Sequence, residues 1–329
     1  MMAGLVFSVR DLAQMRFAVS PMWEVGPSFR LLRSGSRHSV HRSWVDQVRP
    51  RLAAVGLDRG WLAELIPPSG YVPDFLNPTP QGANVTLAAE LEKIQATRAD
   101  RVRQDLDRLR DEQGGLGSRS LALYSEPEDL LEKVTAEIEQ YWDVALAPYW
   151  ARIRSLLDAD VSQRARQVAE RGADHLLNDL HGSVRWDGDT LLLLRRPTAL
   201  KRTTAGQGLV LIPSVFTIPV PFVRVSPPDP PQLAYPARGI GSMWESRPVT
   251  HTDALAAVLG RTRTLLLTEL ESPASTTELA HRTGLIPSRV SQNLTALRHA
   301  GLVSAHRVGR SVFYARTAAA ESVLAAACS

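Results

Sequence analysis

Thr276–Tyr314 reads TTELAHRTGLIPSRVSQNLTALRHAGLVSAHRVGRSVFY, and this stretch decides what the C-terminal part of the chain can be. Ser275-Thr276-Thr277-Glu278 has the pattern of a capping box, in which the serine caps an early backbone N–H and the glutamate reaches back. The helix it opens carries Leu279 and Ala280 inward and stops at Gly284, a residue suited to a left-handed C-terminus. Leu285 and Ile286 pack the turn, and Pro287 fits the first position of a second helix, where no backbone donor is needed. At 100° per residue Val290, Leu294 and Leu297 fall on one apolar stripe of that helix. Gly301 ends it. Leu302 to Arg307 then reads as a strand, Val308-Gly309-Arg310-Ser311 as a turn and Val312 to Ala315 as the return strand.

Helix, tight turn, helix and basic hairpin is the order of a helix-turn-helix with a wing. The side of the second helix opposite its apolar stripe carries Ser288, Gln292, Thr295 and His299, with Arg289 and Ser291 on the flanks. Gln and Arg can bond adenine and guanine edges in bidentate fashion, and Ser or Thr can serve a base or a phosphate. No carboxylate on this face repels phosphate. Arg307, Arg310 and Ser311 of the hairpin, and Thr276 and Thr277 at the start of the first helix, complete the candidate DNA-contact set. The expected partner is double-stranded DNA.

From about Leu259 to Thr317 the sequence resembles the winged-helix domain of ArsR-type bacterial transcriptional regulators. The resemblance is carried by GRTRTLLLTEL, TTELAHRTG, SRVSQNLTALRHAGLV and the hairpin ending in Phe313-Tyr314, in that order. MarR-type regulators share the same logic. The resemblance implies a homodimer, usually a repressor, that binds an inverted repeat, with Ala319 to Ala327 as a C-terminal helix contributing to pairing. Metal-sensing members place a cysteine pair near the start of this domain's second helix, or His and Asp ligands near the C-terminus. Here the corresponding segment is Ser272-Pro273-Ala274-Ser275-Thr276-Thr277, without a thiol. A thiolate site needs several converging sulfurs, and the chain has one cysteine, Cys328. His251, Asp253, His281, His299 and His306 have no spacing that demands a metal, so neither metal nor cofactor is expected.

Composition fits this reading. The 329 residues are 44% hydrophobic and 22% charged, which is ordinary for a soluble globular protein of two or three domains. One cysteine excludes a disulfide framework and suits a reducing, cytoplasmic compartment, where a DNA-binding protein would be nucleoid-associated. No apolar run approaches a membrane span, and the start MMAGLVFSVRDL lacks a secretory signal pattern, so no membrane partner is expected. The net charge is +4, of which +3 falls from Thr250 onward. The nucleic-acid bias therefore belongs to the C-terminal domain, and its modest size makes affinity depend on dimerisation.

The expected architecture is α+β: a mostly helical N-terminal domain with a small antiparallel sheet, then the C-terminal winged helix-turn-helix. Residues 1–240 form one domain, helical over 1–181 and sheet over 182–238, and residues 241–329 the other. In the first, Ser8 caps a helix from Val9 to Val19, Pro21 and Pro27 bracket a short one, and Ser39 to Leu52 and Leu57 to Leu65 follow. Thr86 to Gln113 is a solvated amphipathic helix whose acids interleave with its arginines, ended by the Gly114–Gly117 group. Pro127 to Asp158 is the most apolar helical stretch, kinked or restarted at Pro148. Val184 to Leu194 is a hairpin around Asp187-Gly188-Asp189, and Gly208–Ile212, Phe216–Ile218, Phe222–Val225 and Leu233–Tyr235 continue as strands. Tyr235-Pro236-Ala237-Arg238-Gly239 and Met243-Trp244-Glu245 resemble a group of high-GC bacterial ArsR-type proteins with an uncharacterised N-terminal domain, a resemblance that implies no chemistry.

The function expected is that of a dimeric, sequence-specific transcriptional regulator, a repressor, with effector sensing in the N-terminal domain. Lacking metal ligands, it needs another input: an apolar or aromatic small molecule, in a pocket lined by Tyr141, Trp142, Tyr149 and Trp150. No nucleophile elbow, zinc-protease helix, Walker loop or dinucleotide fingerprint stands out, and His175 and His181 with Asp174 and Asp179 lack a nucleophile, so no enzyme is expected. The alternatives are an enzyme fused to a DNA-binding module, and a constitutive DNA-binding protein in which residues 1–240 sense nothing.

Overall fold

A computed structural model describes residues 2–34, 39–82, 85–194, 206–244 and 252–326. The protein is α+β, and it divides into two compact units that are not consecutive in sequence. The first comprises residues 1–36, 59–137 and 156–240; the second comprises 37–58, 138–155 and 241–329. Two segments that precede residue 240, 37–58 and 138–155, thus group with 241–329. In chain order the elements are β1 (Met2–Val6), α1 (Val9–Ala13), β2 (Arg16–Phe17), α2 (Met22–Arg33), α3 (Arg42–Ala54), α4 (Trp61–Leu65), α5 (Leu87–Gln95), α6 (Ala99–Gln113), α7 (Ser118–Ser125), α8 (Pro127–Ala145) and α9 (Trp150–Asp179). Then follow β3 (Val184–Asp187), β4 (Thr190–Leu194), β5 (Val210–Ser214), β6 (Phe222–Arg224), β7 (Gln232–Pro236), α10 (Thr252–Leu259), α11 (Arg261–Glu269), β8 (Ala274–Ser275), α12 (Thr276–Thr283), α13 (Pro287–His299), β9 (Val303–Val308), β10 (Ser311–Arg316) and α14 (Ala318–Ala326).

The first unit holds two sheets. β1-β4-β3 is antiparallel, with Leu5 opposite Leu191 and Trp186 opposite Leu191 on the other side. The second has the order β2-β5-β7-β6 and is mixed: β5 runs parallel to β2 and β7, and only β6 is antiparallel to its neighbour. The small antiparallel sheet read from the sequence corresponds to β1-β4-β3, while the parallel pairing in the second sheet was not expected. It accompanies burial on both faces, the usual setting of parallel strands. Val210 and Ile212 of β5 pack with Ala18, Trp23 and Ala234. Leu209, Leu211, Leu233 and Tyr235 pack with Leu176 and Leu177 of α9 and with Leu180 just beyond it. Several local expectations change with this. The helix begun at Ser8 has its capping box but stops at Ala13, because Arg16 and Ala18 donate to Leu209 and Leu211 as strand partners. β1 was not expected. α2 runs through Pro27, the long charged helix is two, α5 and α6, and Pro148 lies in a short 3-10 turn between α8 and α9. Phe216–Ile218 is not a strand.

Buried carboxylates stitch this unit together. Glu24 of α2 accepts from the backbone N–H of Val215 (2.8 Å) and Phe216 (3.2 Å) and from Ser214 Oγ (3.1 Å), which is why the chain turns there instead of continuing β5. Glu90 of α5 accepts from Met22 N and Ser20 Oγ. Asp105 of α6 accepts from Phe75 N and the Tyr71 hydroxyl, and Asp160 of α9 from Arg238 N and the Tyr235 hydroxyl. Glu137 takes the first two N–H groups of α4, at 2.8 and 2.7 Å. A buried backbone donor without an acceptor costs about 1–3 kcal/mol, so these side chains complete loops that no ladder satisfies. Burial raises the Glu24 carboxyl to about 8 against the opposing pull of its three donors, and the Glu90 carboxyl to about 7.

In the second unit, Leu266, Leu267, Leu270, Leu279, Val290, Leu294, Leu297, Val303 and Ala320 form one core. The strand order is β8-β10-β9, antiparallel throughout. Arg316, at the end of β10, donates to the carbonyls of Leu267 (Nε, 2.6 Å) and Thr268 (2.7 Å), so it closes the C-terminus of α11. One face of the hairpin is covered from the N-terminal segments. Val308 and Phe313 pack with Val55 and Val144, and the Arg51 guanidinium lies 3.9 Å from the Phe313 ring centroid.

Candidate nucleic-acid interface

The segment quoted at the outset builds its elements with the expected local chemistry. Ser275 Oγ accepts from Glu278 N (3.3 Å), and Glu278 accepts from Ser275 N (2.7 Å). Gly284 has φ 69°, a left-handed conformation that lets the chain turn sharply into Ile286 and Pro287. Val290, Leu294 and Leu297 are buried, which fixes the rotation of α13 about its axis. Ser288, Arg289, Ser291, Gln292, Thr295 and His299 are all exposed as a result. Arg289 donates to Thr262 Oγ1 (3.3 Å), which steadies its stem from α11. Thr277 is exposed and Thr276 half-buried at the start of α12.

The hairpin continues the exposed surface. Val303 and Val308 of β9 are buried while Arg307 is exposed, and Gly309, Arg310 and Ser311 form the exposed tip. Arg307 Nε bonds the carbonyl of Gly309 at 3.3 Å. His306 is half-buried beside Ser304 Oγ (2.8 Å), and burial lowers its pKa, so the ring is held neutral near pH 7.

Thr276–Arg316 contains six arginines and one acid, Glu278. That acid is turned back onto the cap of its own helix, and Arg316 is spent on α11. Five arginines remain, of which Arg282 and Arg298 are exposed on α12 and α13 and were not among the sequence candidates. Their signal was available in the charge balance but not in any motif. A cationic surface free of opposing carboxylate, with a helix whose outward side chains are short hydroxyls, an amide and a guanidinium, can approach phosphate and present donors and acceptors to base edges.

Tyr141, Trp142, Tyr149 and Trp150, the expected pocket lining, lie where α8 gives way to α9. Tyr141 and Tyr149 are buried, and Trp142 and Trp150 meet edge to face with centroids 4.8 Å apart. The Tyr149 hydroxyl donates to Gln47 Oε1 (3.1 Å), and its ring lies 5.6 Å from that of Trp244, whose Nε1 donates to His41 Nδ1 (2.9 Å). Trp44 Nε1 donates to the carbonyl of Ala145 (3.0 Å). Tyr149 and Trp44 thus tie α3 to the α8–α9 junction. Sequence reasoning missed Gln47, Arg51 and Trp44, since nothing local marks α3 as a companion of a hairpin some 250 residues later.

Among the described residues no group of three or more His, Cys, Asp or Glu could hold a metal ion, and no helix is long and apolar enough to cross a membrane. Comparison with protein-family models, with curated proteins and with solved structures returned no match.

Proposed function

We propose that Thr276–Arg316 is a winged helix-turn-helix and that the protein is a dimeric, sequence-specific DNA-binding transcriptional regulator, acting as a repressor. The observation that carries this is the outward face of α13. Its readout-capable side chains are exposed together, no carboxylate shares the face, and a hairpin with Arg307 and Arg310 follows directly. In this reading α13 enters the major groove with Ser288, Arg289 and Gln292 leading, and the hairpin tip meets phosphate or the minor groove. Pairing is supported by apolar side chains exposed in the same unit: Val258 of α10, Leu265 of α11 and Val323 of α14. A single small module makes few base contacts, so a two-fold pair on an inverted repeat supplies the selectivity.

The test is selection of the full chain against random double-stranded DNA, with sedimentation of the protein alone. Palindromic sites with half-sites about one or two helical turns apart, bound by a dimer, are expected. Isolated half-sites bound by monomers would refute the dimeric reading, and no enrichment at all would refute the function.

A further inference from the structure

The first unit contains a cavity of about 330 Å³, at the low end of the volumes that take small organic ligands. It lies among α2, α6 and β6, and its lining combines Trp23, Pro27, Val220 and Phe222 with Arg108 and Arg224; the Arg30 guanidinium lies 5.8 Å from the Phe222 ring centroid.

The guanidiniums of Arg108 and Arg224 differ in how much of their bonding is used. Arg224 is 8% exposed; its terminal nitrogens donate to Thr79 Oγ1 and Asp229 Oδ2, and its Nε–H has no acceptor among the described residues. Such a buried, unused charged donor is costly and is commonly completed by a ligand or water. The Arg108 guanidinium carbon lies over the Tyr71 ring, 3.9 Å from its centroid, with Nε 3.4 Å from Glu112 Oε1. Arg30, also in the lining, is committed to the carbonyls of Pro67 and Gly70. Asp74 and Glu112 are the carboxylates that line the space, and Glu112 is bonded to Tyr71 N.

A second feature points the same way. α2 carries Gly26-Pro27 in mid-helix where it lines the cavity, although Gly and Pro cost a helix about 1 and about 3 kcal/mol relative to Ala. A Cβ added at Gly26 would meet nothing within 4 Å. The helix is thinned where the space is.

We propose that this cavity binds a small amphipathic carboxylate, with its ring or chain against Trp23 and Phe222 and its anionic head toward Arg108 and Arg224. That such a ligand serves as the effector of a DNA-binding regulator rests on the proposed function; the binding itself does not.

The experiment titrates the full chain, without DNA, with phenylacetate, 2-naphthoate and decanoate, each beside its neutral amide, by calorimetry and tryptophan fluorescence. At least one acid is expected to bind, and its amide at least tenfold more weakly. Arg108→Gln should weaken the acid about tenfold and leave the amide within twofold. Gly26→Leu should abolish binding of both while the circular dichroism shows the fold retained. Equal binding of acid and amide, unchanged binding by Gly26→Leu, or no heat from any probe would overturn the proposal. DNA affinity is measured separately with and without the bound acid. A chain that binds acid but not DNA would sink the regulator and leave the cavity standing.

Discussion

Replacing Glu24 by glutamine tests the buried carboxylates by a sign. Glu24 is fully buried, and its pKa is raised from 4.5 to about 8 because burial outweighs the three donors that face it. A raised folded-state pKa means that the folded chain holds a proton the unfolded chain has released between those values. The stability this supplies is complete below about pH 4.5 and is lost as pH climbs through about 8. From pH 5.5 to 7.5 the loss attributable to Glu24 is on the order of 2–3 kcal/mol, since each unit between the two pKa values is worth roughly 1 kcal/mol and the upper end flattens. The amide that replaces the carboxyl cannot ionise but keeps the shape and an accepting oxygen. Glu90 and Asp74 remain in both proteins and cancel in the difference. The stability of Glu24→Gln minus that of the natural chain should therefore rise by roughly 2–3 kcal/mol over those two pH units, measured by urea unfolding at matched ionic strength. A flat difference would mean that Glu24 titrates alike in both states. A falling one would mean that its three hydrogen bonds hold it ionised, and the argument from burial would be wrong.

The interface makes further demands. Gln292→Ala and Arg289→Ala should each cost about 1–3 kcal/mol on the selected sequence and little on random DNA. Arg310→Ala should weaken both alike and reduce the salt slope by about one ion, so equal losses for all three in fluorescence anisotropy would mean that the assigned face of α13 is wrong. Phe313→Ala removes a ring packed on Val55 and Val144 and under Arg51, and should destabilise the second unit by about 3 kcal/mol, visible as faster amide exchange in both β10 and α3. Exchange confined to β10 would show that α3 does not depend on the hairpin.

Much of the C-terminal unit was legible because its signals are local. Ser275 and Glu278 lie three residues apart, Gly284 and Pro287 punctuate one turn, and Val290, Leu294 and Leu297 set one stripe. The DNA-contact candidates follow from that stripe by subtraction. What stayed hidden depends on distant pairing. The two strand residues Arg16 and Phe17 are recruited by β5, almost two hundred residues on, and carry no alternation of their own. Nothing in the local sequence marks Glu24 and Asp160 as acceptors for loops that lie far along the chain. The bond from Tyr149 to Gln47 of α3 was not legible either, since an aromatic stripe has the same spacing whatever lies against it.

The cover over the hairpin has a consequence for how the chain is made. Val55 leaves the ribosome early and Val308 roughly 250 residues later, a wait of about 13–50 s at about 5–20 residues per second. Throughout that interval Val55 and, from its own synthesis onward, Val144 lack the Phe313 ring that will shield them. A nascent intermediate with an uncovered apolar patch is the kind of species that holding chaperones bind. Cutting the chain at residue 240 would recreate that unfinished state permanently in both fragments, one without its lid and the other without its seat.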